Sequence, residues 1–194
     1  MNNYRIHYFG PMLFQTELSN EQATSIENLL NKKQENNFQA QLAGHLKDEF
    51  LINSVALENI LLPTFELFYE AHQKFYGKKL MQQFVKRAWV NYMKSGDYNP
   101  IHAHSECDWS AVIYFKIPQG LQDEQNKHVA NSQAPGGITF MYDLIPIRFS
   151  YGQLNFTPKE KTIFIFPAEL CHEVTPFKSD GERITIAFNL KSRE

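Results

Sequence analysis

The spacing of apolar residues changes once along the chain, near residue 84. Before that point Tyr4–Phe14 has the aromatic and branched composition of strand. Ser19 followed three residues later by Gln22 makes a capping box ahead of Ala23, Ile26, Leu29 and Leu30, which fall on one helical face. A second helix is predicted from Leu57, Ile60, Leu61, Phe65, Phe68 and Phe75, with Asn53 or Ser54 at its start and Gly77 past its end. Pro63 falls inside this pattern and predicts a kink or two separate pieces. Beyond residue 84 short β runs alternate with Gly, Pro, Asn and Asp, placing strands near 84–93, 100–104, 109–117, 137–142, 147–156, 161–166, 171–175 and 183–190. Eight short strands behind a helical half predict a mainly β, α+β jelly roll braced on one face by helices. The 194 residues suit one domain, with 1–83 as N-terminal helical support and 84–194 as the jelly-roll core. Between Pro118 and Pro135 the chain is polar and without period, which reads as a loop, either a lid or a surface insertion.

Composition narrows the partners. Nineteen Lys and Arg against twenty-one Asp and Glu leave a net charge of −2, so no basic footprint for nucleic acid or an anionic membrane is present. Apolar runs reach only about five residues, as in Ala111–Phe115, far below the ~20 that cross a bilayer. The first residues lack a secretory pattern, and a cytoplasmic location is expected. Two cysteines, Cys107 and Cys171, are too few for a disulfide framework. The twenty-seven aromatic residues, mostly in predicted strands and helices, imply a layered core.

Three of the seven histidines carry the candidate chemistry. His102 and His104 lie two apart in extended chain, so their side chains point the same way and can meet on one ion. His172 opens a later strand and supplies a third imidazole. Imidazole suits iron, zinc, copper and nickel alike, so the spacing does not choose the metal. Asp108 is an alternative ligand to His104, and Glu106 a weaker one. In the last strand alternation puts Arg183, Thr185, Ala187 and Asn189 on one face and Ile184, Ile186, Phe188 and Leu190 on the other. A buried arginine beside a hydroxyl needs partners. A carboxylate ligand matches its fork, and an ordinary salt bridge to Asp or Glu is the competing explanation. Cys171 should alternate away from His172 and read as a small buried hydrophobe. His7, His45, His72 and His128 have no partners in sequence and read as structural or surface residues.

From about Phe84 to Asn189 the chain resembles the iron(II)- and 2-oxoglutarate-dependent oxygenases, and most closely the 2-oxoglutarate–Fe(II) oxygenase branch common in bacteria and their phages. The resemblance is carried by Trp89-Val90-Asn91, Gly96-Asp97-Tyr98-Asn99, His102-x-His104, Ser110-Ala111-Val112-Ile113-Tyr114, Gly136-Gly137-Ile138-Thr139-Phe140, Phe166-Pro167, His172-Glu173-Val174-x-Pro176 and Arg183-x-Thr185-x-Ala187-Phe188-Asn189. It implies a double-stranded β-helix, Fe(II) held by His102 and His172, and a 2-oxoglutarate carboxylate held by Arg183 and Thr185. Asn91 and Trp89 are candidates for lining the cosubstrate pocket, or else for a sheet hydrogen bond and core packing. The reaction implied is hydroxylation of a C–H bond in a peptide, an amino-acid side chain or a small metabolite, coupled to decarboxylation of 2-oxoglutarate to succinate. Most of the superfamily carries Asp or Glu where His104 stands. An all-imidazole set leaves the metal its full positive charge, which favours an anionic cosubstrate.

Two rival readings share the architecture. A metal-dependent cupin would use Gly96 before His102-x-His104, Asp108 as its acid and Pro167 before His172, but Glu169 replaces the expected glycine and Arg183-x-Thr185 is left without a task. A non-catalytic jelly-roll binding module would use the histidines only to fill the barrel mouth. Neither the substrate nor the oligomeric state is readable from the residues.

Overall fold

Backbone pairing sorts the strands into two antiparallel sheets. The computed structural model describes residues 4–8, 10–31, 48–129, 133–142, 152–157 and 159–193, with the side chains of residues 5–8 left aside. The element order is β1 (Tyr4–Tyr8), β2 (Met12–Glu17), α1 (Asn20–Leu30), β3 (Asp48–Leu51), α2 (Ser54–Tyr76), β4 (Gln83–Met93), β5 (Asn99–His102), β6 (Trp109–Lys116), α3 (Gln119–Lys127), β7 (Ile138–Met141), β8 (Gln153–Phe156), β9 (Thr162–Pro167), β10 (Cys171–Val174) and β11 (Arg183–Ser192). The larger sheet runs β1-β2-β9-β6-β11-β4-β3 and the smaller β5-β10-β7-β8.

Local chemistry explains the helices. Ser19 accepts from the Gln22 N–H at 3.2 Å while the Gln22 side chain accepts from the Ser19 N–H at 3.0 Å, so the capping box closes and α1 begins at Asn20. Asn53 caps α2 through the Ala56 N–H at 2.9 Å, and Gly77 ends it in the left-handed region at φ 68. α2 runs through Pro63 as one helix: the proline is exposed, and the buried face of Leu57, Leu61, Phe65 and Phe68 outweighs one lost backbone bond.

The large sheet separates two cores. On its outer face Ile26, Leu61, Phe65 and Phe68 of the helices pack on Val90, Ile113, Ile165, Ile186 and Phe188. On its inner face Leu13, Met93, Tyr114 and Phe164 meet Phe140, Phe166 and Val174. The first half also supplies β1, β2 and β3 to this sheet, so its role exceeds helical support. β3 has no counterpart among the predicted strands, because four residues are too few for a period to register. The predicted loop between Pro118 and Pro135 contains α3, whose one buried side chain is Leu121. With a single anchor no apolar period exists to read, although its Gln, Glu, Asp and Lys residues tolerate helix. Of the strand predicted over 147–156, residues 147–151 lie outside the described residues and 153–156 form β8. His45 also lies outside them.

Candidate functional site

Register brings the histidines together. β5 and β10 pair antiparallel with His102 directly opposite His172, and their ring centroids are 4.2 Å apart. β5 ends at His102, and His104, two residues on, is fixed by its own N–H donating to the Ala168 carbonyl at 2.8 Å. The His104 ring lies 5.4 Å from that of His102 and 5.2 Å from that of His172. One nitrogen from each ring falls within 4.8 Å of the others. An ion held at about 2.0–2.1 Å by each imidazole needs these atoms within about 4.2 Å, which small rotations supply.

The rings are prepared as neutral donors. The Nδ1 atoms of His102 and His172 lie 2.7 and 2.9 Å from the carbonyls of Pro100 and Leu170, an arrangement that puts the proton on Nδ1 and leaves Nε2 as a lone-pair donor. Burial lowers all three pKa values: His172 falls well below the ordinary range, with help from the other two rings, and His104 falls to about 4. Phe166 packs 4.7 Å from the His172 ring and Trp89 6.1 Å from that of His104.

Asp108 does not join them. Its carboxylate accepts from Lys191 Nζ at 2.7 Å, from the Ser192 N–H at 2.8 Å and from the Ser192 hydroxyl at 2.6 Å, and it is outside the imidazole cluster. Burial opposes its charge, but these bonds together hold its pKa below the usual value. Glu106 is exposed, with its carboxylate 3.4 Å from Lys86. Cys171 points away from the cluster as alternation requires, yet it is exposed rather than buried, because the outer face of β10 meets solvent. His72 is a packing residue, its ring 3.1 Å from the Lys78 carbonyl and 5.7 Å from Trp109.

The pocket that receives the histidines has a cavity volume of about 50 Å³ and extends to the inner face of the large sheet, where Asn91, Tyr114, Arg183 and Thr185 line it. Arg183 is 1% exposed, the bulkiest fully buried side chain. Its guanidinium donates to the Gly136 carbonyl at 2.6 Å and to Met93 Sδ, Nε has no partner, and no carboxylate among the described residues pairs with it. Among the described residues the salt-bridge explanation therefore finds no acid. Tyr114, the register partner of Thr185 on β6, is fully buried with a bare hydroxyl, its ring centroid 5.5 Å from the guanidinium. Burial pushes that phenol up to about 12, against the pull of Arg183. Sequence reasoning missed Tyr114 as a site residue. The available sign was an inward-facing tyrosine in a core strand, whose hydroxyl must find a partner.

A protein-family model described as "Putative 2OG-Fe(II) oxygenase" matches residues 87–189, more than half of the chain. The chain belongs to this 2OG-Fe(II) oxygenase family. Its cosubstrate is 2-oxoglutarate and its metal Fe(II), and the chain is a 2-oxoglutarate-dependent oxygenase. Solved structures with the same fold include a Pseudomonas putida prolyl-4-hydroxylase, 14% identical over 95% of each chain at a TM-score of 0.59. A viral collagen prolyl hydroxylase from Paramecium Bursaria Chlorella virus-1, solved with 2OG, is 15% identical over 95% of this chain and 98% of its own, also at 0.59. HygX from Streptomyces hygroscopicus, bound to nickel, 2-oxoglutarate and hygromycin B, is 9% identical over 93% of this chain and 82% of its own, at 0.56. These likenesses establish the double-stranded β-helix for this oxygenase. No curated protein matches the chain in sequence. No helix among the described residues is long and apolar enough to cross a membrane.

Proposed function

We propose that this oxygenase hydroxylates an aliphatic C–H bond of a peptidyl or amino-acid side chain or of a small metabolite, with iron held by His102, His104 and His172 and 2-oxoglutarate held by Arg183, Tyr114 and Thr185. The observation that carries the reading is a fully buried guanidinium with no carboxylate partner among the described residues, in the same pocket as three imidazoles whose charged form burial disfavours. A diacid suits both ends: its distal carboxylate ends the isolation of Arg183 Nε and the Tyr114 hydroxyl, while its 2-oxo acid end faces the metal. Bound iron supplies oxygen activation coupled to decarboxylation of the cosubstrate to succinate. The chain's own residues bind, orient and exclude water. Three imidazoles without a carboxylate ligand leave the metal's charge unreduced, which strengthens attraction for the 2-oxo acid. Phe166, Trp89 and Val174 keep that end of the pocket apolar.

An open groove is lined by Tyr98, Lys127, His128, Pro135, Thr175 and Phe177, of which Tyr98 and Thr175 are next in the chain to Asn99 and Val174 of the pocket. It favours an extended, peptidyl substrate over a compact one, in keeping with the peptide fragment bound by the Trichoplax adhaerens prolyl hydroxylase of similar fold. A cupin reading leaves Arg183 with no anion to bind.

The test is turnover of 2-oxoglutarate by the Fe(II)-loaded protein. Slow succinate formation without added substrate is expected, and Arg183→Ala should weaken 2-oxoglutarate binding by one to two orders of magnitude, the range that loss of a charge-assisted pair of about 1.5–3 kcal/mol produces. Metal binding that is indifferent to 2-oxoglutarate would refute the reading.

A further inference from the structure

The inner face of the large sheet holds a carboxyl group to which the site above gives no role. Glu49 on β3 is 1% exposed, and its Oε2 has no hydrogen-bond partner among the described residues. Its register partner on β4 is Asn91. The next pair, Phe50 with Val90, belongs to the helix-facing core, so alternation turns Glu49 and Asn91 together toward the pocket side. Asn91 donates from Nδ2 to Thr185 Oγ1 at 3.3 Å, and its Oδ1 is buried without a donor. Two bare acceptors thus stand on directly paired residues, whose Cβ atoms in such a pair are about 4.5–5.5 Å apart. An ionised carboxylate beside an amide oxygen leaves both unsatisfied.

One proton on Glu49 answers both. We propose that Glu49 is a buried neutral carboxylic acid that positions Thr185 through Asn91, its O–H donating to Asn91 Oδ1 so that Asn91 Nδ2 is held toward Thr185 Oγ1. The polarity of this relay matters for the ligand. A threonine hydroxyl that accepts from Asn91 keeps its own hydrogen free, and that hydrogen is then directed at an anion in the pocket. Glu49 is a positioning residue: it touches neither metal nor cosubstrate.

The surroundings favour the neutral form. Burial pushes the Glu49 carboxyl up to about 7. The charged groups on and around the adjoining elements are committed elsewhere among the described residues. Asp48, its neighbour on β3, pairs with Lys94 at 3.0 Å. Lys94, beyond the end of β4, also lies 3.8 Å from Glu182. Arg183 on β11 is turned to Gly136 and Met93, and Tyr114 on the next strand, β6, stays protonated at neutral pH.

The ligand side of this inference rests on the 2-oxoglutarate reading; the proton does not, and the two are tested apart. Infrared difference spectra of the metal-free protein, wild type minus Glu49→Gln, should contain a protonated-carboxyl C=O band at pH 6 that disappears as pH rises through about 7. Absence of that band at pH 6 overturns the proposal, because an Asn91 amide turned the other way would serve an ionised Glu49. With Ni(II) as an inert metal, wild-type affinity for 2-oxoglutarate should fall about five-fold between pH 6 and 8.5, the factor that one ordinary hydrogen bond supplies. Glu49→Gln, which donates at every pH, should hold the pH 6 affinity throughout, and Glu49→Leu should be weak throughout. Equal losses in the Gln and Leu variants overturn the relay. Failure of 2-oxoglutarate to bind any of these proteins refutes the cosubstrate reading and leaves the infrared result standing.

Discussion

Asp108 and Glu49 are two acids near the pocket, and their surroundings send them in opposite directions. Asp108 accepts three hydrogen bonds from Lys191 and Ser192, which ties the end of β11 to the turn before β6. Asp108→Ala should therefore cost about 1–2 kcal/mol of stability, read by denaturant unfolding, and leave metal affinity unchanged; a large loss of metal affinity would return Asp108 to the ligand set. Glu49 has no such donors. Its folded-state pKa of about 7 lies above the ordinary value of 4.5. Between these two values the folded chain holds on Glu49 a proton that the unfolded chain has released, so the Glu49 contribution to stability falls as pH rises through that window, against the rise that the three buried imidazoles give as they lose their unfolded-state charge. The fall in that contribution should total about 3 kcal/mol and level off above pH 7, and it should be absent from Glu49→Gln. Thermal unfolding from pH 4.5 to 8 checks this, and parallel curves for the two proteins would contradict it.

Among the elements, β11 was the most legible in advance. Its alternation separated Arg183, Thr185 and Ala187 from Ile184, Ile186 and Phe188, and the structure puts the first group in the pocket and the second on the helices. The two-residue period likewise brought His102 and His104 to one side, although His104 reaches its place through a bond to Ala168 beyond the strand's end. Tyr114 and Glu49 were not legible, because their meaning lies in cross-strand register, with Thr185 and Asn91, and register is not written in either strand alone. α3 escaped for a different reason: it carries a single large apolar side chain, Leu121. That position matters to the site. Leu121 is wholly buried and abuts Gly136, where an added Cβ would meet it at 2.9 Å and where the carbonyl accepts from Arg183. Gly136 itself adopts φ +62, the left-handed region that glycine occupies without strain. Leu121→Ala should cost about 2–4 kcal/mol and also weaken 2-oxoglutarate binding by loosening the Gly136 carbonyl that aims the guanidinium. Unfolding curves and cosubstrate titration of the same variant separate the two effects, and unchanged affinity would detach α3 from the site.

At the scale of the molecule, the two halves of the pocket belong to different sheets. His102 and His172 stand on the smaller sheet, and Arg183, Thr185 and Tyr114 on the larger. Apolar packing of Phe140, Phe164 and Phe166 joins the sheets beside the pocket, but among the described residues no imidazole of the cluster bonds to Arg183, Thr185 or Tyr114. A diacid held at one end by the metal and at the other by Arg183 would complete that link. Its binding should then depend on the metal, and the two ligands should stabilise the fold together. At a hundred times its dissociation constant 2-oxoglutarate adds about 2.7 kcal/mol, which for a chain of this size raises the melting temperature by about 5–10 °C. The shift should appear with Fe(II) or Ni(II) present under nitrogen, vanish with a chelator, and fall to about half or less in Arg183→Ala even with metal bound. An equal shift in chelator would mean that the diacid binds the large sheet alone, and an undiminished shift in Arg183→Ala would mean that it binds only the metal; either result breaks the bridge between the sheets.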